Sequence, residues 1–71
     1  MSHQIVAEIV CNVLSVGTPE GTSVQAGDTI VILESMKMEI PVLSESDGVV
    51  QSIAVNEGDV VQEGDLIAVV A

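Results

Sequence analysis

Lys37 is the only Lys or Arg in a chain of 71 residues that carries eleven acidic side chains. It stands within Glu34-Ser35-Met36-Lys37-Met38-Glu39. A lysine amine attacks activated carbonyl groups once it has lost its proton. The plainer reading is a loop lysine neutralised by Glu34 and Glu39, with methionines as ordinary core fillers. Its isolation among acids weighs against that. So does the awkwardness of placing Met36 and Met38 in a core from either side of a two-residue turn. Other candidates for chemistry are thin. Cys11 is the sole cysteine, and with His3, the sole histidine, it makes neither a disulfide nor a metal-ligand set. Cys11 reads as a small buried hydrophobe. No nucleophile–base pair, cofactor loop or pocket-sized core is legible, so the chain is not expected to be an enzyme itself.

The elements that must position Lys37 come from an internal repeat. Residues 20–33, EGTSVQAGDTIVIL, align without gaps to residues 57–70, EGDVVQEGDLIAVV, at an offset of 37. Seven of the fourteen positions match: Glu20/Glu57, Gly21/Gly58, Val24/Val61, Gln25/Gln62, Gly27/Gly64, Asp28/Asp65 and Ile30/Ile67. The similarity runs back through Ser15/Ser52 and Val16/Ile53. Glycine supplies the positive φ that tight turns demand. Asp after Gly can bond back to its own turn. Each copy therefore reads as a strand, a Glu-Gly turn, a short extended stretch through Val24 or Val61, a Gly-Asp turn and a closing strand. Two copies pair their apolar faces about a pseudo-twofold axis and bury a core that neither half buries alone. Lys37 lies near the centre of this symmetry.

Composition agrees with strands. Val (14) and Ile (7) dominate over Leu (4), and β-branched side chains suit a pleated surface. Turn signals at 18–21, 26–28, 46–48, 56–59 and 63–65 separate runs at 5–10, 13–16, 30–34, 38–43, 49–55 and 66–70. No run has a sustained helical period. Pro41 falls inside one apparent strand and should sit at an edge or bulge. The fold class is all-β, a flattened barrel or sandwich of two similar small sheets. Residues 1–71 form a single domain, with repeat halves at about 5–33 and 42–70 joined by a tight hairpin, 34–41, that has Met36 and Lys37 near its tip. Net charge is −10 and no Phe, Tyr or Trp is present. Nucleic acid is excluded as a partner, for want of phosphate-binding cations and stacking platforms. An acidic surface favours solubility and basic docking partners. No run is long enough for a membrane span and Met1–Gln4 has no signal-like pattern. A cytoplasmic monomer is expected, with no linker to a larger chain.

Glu34-Ser35-Met36-Lys37-Met38-Glu39 resembles the attachment motif of biotinyl domains, whose usual form is Glu-Ala-Met-Lys-Met. The resemblance covers nearly the whole chain, including the Glu-Gly and Gly-Asp turns and the Asp47-Gly48 turn that opens the second half. It is closest to short, single-domain biotin attachment proteins. It implies a flattened barrel of two four-stranded antiparallel sheets with pseudo-twofold symmetry. It implies covalent biotin on Lys37, with Met36, Met38, Ser35, Glu34 and Glu39 read by partners on the hairpin. A biotin protein ligase would activate biotin as an adenylate, and the Lys37 amine would displace AMP to form an amide. Lysine is ordinarily protonated near neutrality, so the ligase must supply the base and the desolvation. Net charge would then fall from −10 to −11, because the one positive charge is lost. The resemblance also implies service between biotin carboxylase and carboxyltransferase subunits, the tether raising effective concentration at both sites.

Two departures stand out. Ser35 replaces the usual Ala, and Ala7-Glu8-Ile9-Val10-Cys11 replaces the frequent Ala-Pro-Met-Pro-Gly. No protruding insertion fits between the repeats. A lipoyl carrier is the nearest alternative, but lipoyl domains usually place Asp before the lysine and a small residue after it. An unmodified biotinyl-like interaction module is the other.

Overall fold

The computed structural model describes residues 2–71. Eight strands appear and no helix among the described residues. They are β1 (His3–Val6), β2 (Cys11–Val16), β3 (Ser23–Val24), β4 (Thr29–Ser35), β5 (Met38–Leu43), β6 (Gly48–Ile53), β7 (Val60–Val61) and β8 (Leu66–Val70). One four-stranded sheet has the order β1-β8-β6-β3, the other β5-β4-β2-β7, and all pairings are antiparallel.

The repeat fixes this topology. Adding 37 to the bounds of β2 gives those of β6, and adding 37 to β3 gives β7. Mapping β1, β8, β6 and β3 onto β5, β4, β2 and β7 turns one sheet into the other. Each sheet takes two strands from each half. Half a chain therefore has no sheet to fold into, which is why a two-residue strand such as β3 survives here. The positive-φ glycines also fall in pairs 37 apart, Gly21/Gly58 and Gly27/Gly64. The Gly-Asp turns close as their sequence demands. The Gln25 N–H donates to Asp28 Oδ2, and the Gln62 N–H to Asp65 Oδ2, both at 2.9 Å.

The core is thin and aliphatic. Val13, Ile30, Val31, Val50, Ile67 and Val70 are its largest fully enclosed side chains. Ile30 and Val31 are both buried although consecutive, as are Ile67 and Ala68. Register shifts explain this. In the β4–β5 ladder Thr29 faces Leu43 and Val31 faces Val42, so Ile30 is the extra residue of a bulge. In the β1–β8 ladder Ile67 is skipped in the same way. Two further shifts leave out Leu14 and Gln51, again 37 apart.

Two sequence expectations need correction. The run at 5–10 is not one strand: β1 ends at Val6, residues 7–10 form a loop, and Ile9 and Val10 are exposed. Gly48 does not serve a positive φ. A Cβ there would collide with the Ala71 carbonyl and come within 3.1 Å of Val70 Cγ1. Ala71 cannot easily retreat, because its N–H donates to Val49 O at 2.8 Å and its O accepts from the Val49 N–H at 2.9 Å. Gly48→Ala should cost about 1–3 kcal/mol, as overpacking does. Thermal melts should fall by about 4–8 °C for each kcal/mol at this chain length. An unchanged melt would mean that the C-terminal strand end is not held there.

Pro41 lies on β5, an edge strand of its sheet, opposite Ile32. An edge tolerates the missing donor. Cys11 is buried, its Sγ 3.3 Å from Ile9 O, and burial pushes its thiol pKa up. Thiolate is the reactive form. Iodoacetamide at pH 8 should therefore label Cys11 slowly in the folded chain and rapidly in guanidinium. Equal rates by mass spectrometry would contradict its burial.

Candidate functional site

The β4–β5 hairpin turns on two residues. Ser35 pairs with Met38, leaving Met36 and Lys37 at the tip with φ of 54° and 65°. Two successive residues of positive φ define a type I′ turn, whose twist matches the flanking strands. Asn and Gly usually occupy such turns. Met and Lys there cost about 1 kcal/mol or more each. The ladder from Thr29/Leu43 to Ser35/Met38 holds them in place. The lysine is thus carried on a stiff two-strand stalk rather than a loose loop.

The tip is open to solvent. Lys37 is exposed, Met36 is 90% exposed and Met38 63%. Neither methionine fills the core, as the sequence argument anticipated. No carboxylate lies within salt-bridge distance of the Lys37 amine among the described residues; Glu45 Oε1 lies 3.0 Å from His3 Nε2 instead. Glu34 and Glu39 therefore do not neutralise the lysine. They face each other across the hairpin, a like-charge pair that weakens a ladder slightly. Both border the tip, as does Ser35, which is half-buried. All six residues singled out from the sequence are thus brought together on one hairpin.

Chemically this arrangement offers one unencumbered primary amine on a long stem, with an apolar side chain on each side and acids below. A groove of about 420 Å³ lies between β1 and β5. Its lining includes Ile9, Ile40, His3 and Glu45. It holds no nucleophile with a base.

The site has features beyond the motif. Ile9 and Val10, in the 7–10 loop, are exposed, and so is Val60 on β7. Asn12 pairs with both Glu34 and Val60, which ties this surface to the base of the hairpin. The motif did not point to these residues. Comparing the two repeat copies position by position would have, because their counterparts 37 residues away are Ser46, Asp47 and Ser23.

Fold and hairpin together define a small two-sheet domain with an exposed lysine at the tip of a two-residue turn. The family model described as "Biotin-requiring enzyme" matches residues 3–70. The chain belongs to this family of biotin and lipoyl attachment domains, which are carriers rather than catalysts. It is 52% identical over 71 residues, the full length of both chains, to the "Biotinylated protein TB7.3 homolog" of Mycobacterium leprae. The Kluyveromyces lactis urea carboxylase structure matches all of this chain at a TM-score of 0.93 and 32% identity, over 6% of its own length. The lipoyl domain of the Azotobacter vinelandii 2-oxoglutarate dehydrogenase complex matches 96% of this chain and 94% of its own, with a TM-score of 0.84 and 31% identity. The relatives support a biotin-carrying role over a lipoyl one.

Proposed function

We propose that Lys37 is the attachment point for biotin and that the loaded chain carries a carboxyl group within a biotin-dependent carboxylase system. The observation that supports this most is the isolated, exposed amine at the tip of a two-residue turn, flanked by Met36 and Met38. The chain's residues fit the group: the amine forms the amide, and no neighbouring side chain competes for it.

In the loading step a biotin protein ligase holds the biotinyl adenylate. The Lys37 nitrogen bonds to its carbonyl carbon, AMP leaves with the electron pair, and the amine proton passes to a base on the ligase. Met36 and Met38 give the ligase adaptable apolar contacts, and Glu34 and Glu39 give it charge to grip. Bound biotin supplies a ureido nitrogen that accepts and releases a carboxyl group. The stiff hairpin keeps the arm's root fixed, so the arm's sweep is confined to sites near the tip. Partners are a biotin carboxylase and a carboxyltransferase, with the cytoplasm as the setting. The match of this chain to a small part of the Kluyveromyces lactis urea carboxylase supports partners of that kind.

The lysine flanks favour biotin over lipoate, since Met stands on both sides where lipoyl domains usually have Asp and a small residue. Intact mass of the chain isolated from its native host tests this. A biotinyl increment is expected. A lipoyl increment would transfer the chain to the other branch of the family, and an unmodified chain that streptavidin never captures would remove the carrier role.

A further inference from the structure

The pseudo-twofold axis provides an internal control. It carries Leu33 and its partner Ile40 onto Val70 and its partner His3, so the hairpin end of the molecule maps onto the end where the two chain termini meet. The fold asks the same of both ends. Differences between them report something other than folding.

Those differences are directional. At the hairpin end stand Ile9, Val10 and Val60; at the terminal end their counterparts are Ser46, Asp47 and Ser23. Val10 and Val60 are 62% and 65% exposed. Val49, the counterpart of Asn12, runs the other way, as do two small residues, Ala26 and Ala71, the counterparts of Glu63 and Glu34. The apolar choice also forgoes bonds that the fold makes available. Asp47 Oδ1 accepts from the Ala26 N–H at 2.9 Å, and Ser44 Oγ donates to Ser46 O at 2.6 Å. At the hairpin end these positions are Val10 and Ala7, which can do neither. A loop that gives up fastening to expose valine and isoleucine is shaped for contact.

The contact surface adjoins the lysine. Val60 lies two strands from Glu34, about 10 Å at the usual strand spacing. Val10 continues β2 towards the hairpin tip, where Met36 and Met38 complete the patch. Acids adjoin it: Glu8 precedes Ile9 and Asp59 precedes Val60 in the chain, and Glu34 and Glu39 pair beside the hairpin tip. Any enzyme that draws the Lys37 amine into its active site must cover this end.

We infer that Ile9, Val10 and Val60 extend the attachment hairpin into a docking face for the ligase that acylates Lys37, and that the ligase meets it with an apolar patch in a basic rim. This rests on the carrier reading. The face is what orients the amine; the motif residues alone would leave the carrier free to pivot about its hairpin.

The twofold relation also supplies variants that the fold already tolerates. Ile9→Ser, Val10→Asp and Val60→Ser each install the residue found at the matching place in the other half. The combined variant, offered to purified biotin protein ligase with biotin and ATP, should show a KM for carrier raised about tenfold or more, since apolar anchors near an interface centre carry most of its energy. Its kcat should hold. Val49→Asn, at the terminal end, should leave KM unchanged. Circular dichroism melts of each single variant separate misfolding from lost docking, and Val10→Asp should melt no lower than the parent. An unchanged KM in the folded triple variant would overturn the inference, as would an equal KM rise from Val49→Asn. A defect confined to carboxyl transfer, with loading normal, would also overturn it. A parent chain that takes up no biotin at all would instead sink the carrier reading, and this inference with it.

Discussion

Lys37→Arg should abolish loading outright, by a thousandfold or more, while leaving the fold intact. Guanidinium stays protonated throughout the accessible pH range and offers no free pair to a carbonyl carbon. The substitution keeps the net charge at −10 and keeps a long stem at the turn. Exposed replacements of this kind change stability by about 0.5 kcal/mol or less. The expected result is therefore specific: no biotin by streptavidin blot, with an unaltered thermal melt. A pure interaction module would keep its partner binding through the swap, because the charge survives. Continued biotinylation of the arginine variant would place the modification on another amine.

Core truncation should have the second-largest effect. Ile30 and Ile67 are fully buried at the same place in the two halves, each as the extra residue of a bulge. Ile→Ala at either should cost about 2–5 kcal/mol, the lost transfer energy plus the cavity. A chain of 71 residues has about 4–10 kcal/mol to lose at the usual per-residue stability. Either variant should thus move the urea midpoint down by about a fifth or more of its value. The two shifts should agree within about 1 kcal/mol, since symmetry gives them equivalent surroundings. Interlocked sheets add a further expectation: the two halves should lose structure together in a single transition. A large inequality, or two transitions, would mean that the repeat does not act as one cooperative core.

Much of this fold was legible in the residues. Gly27-Asp28 and Gly64-Asp65 announced their turns because the chemistry is local: a positive φ and an aspartate bonding back three residues. Offset matching of the copies led to the twofold pairing, and the run 38–43 coincided with β5. The bulges were not legible. Ile30 and Ile67 break strict alternation, and only the partner strand reveals which residue is skipped. The 5–10 run misled for a related reason: apolar side chains at Ile9 and Val10 suggested a strand, but they face solvent. Gly48 looked like a turn glycine from its Asp neighbour, whereas its constraint comes from Ala71, a contact no local pattern contains.

The hairpin divides along the same line. Its tip position followed from the short strands on either side, and the exposure of Met36 and Met38 from the difficulty of burying both. The left-handed turn did not follow, because Met-Lys is not the sequence such turns favour. Ladder pairing between β4 and β5 imposes it. The docking face was hidden for a different reason. Exposed valines are common singly, and they gain meaning only against their polar counterparts in the other half.

Trypsin provides the most direct measurement, because Lys37 is the chain's only Lys or Arg. Unloaded chain, unfolded and digested, should give two fragments, residues 1–37 and 38–71. After treatment with biotin protein ligase, biotin and ATP, the chain should carry one biotinyl increment and remain uncut, since an acylated lysine is no longer a cleavage site. A chain that gains the increment yet still splits into the two fragments would carry biotin elsewhere, and would contradict the assignment of Lys37.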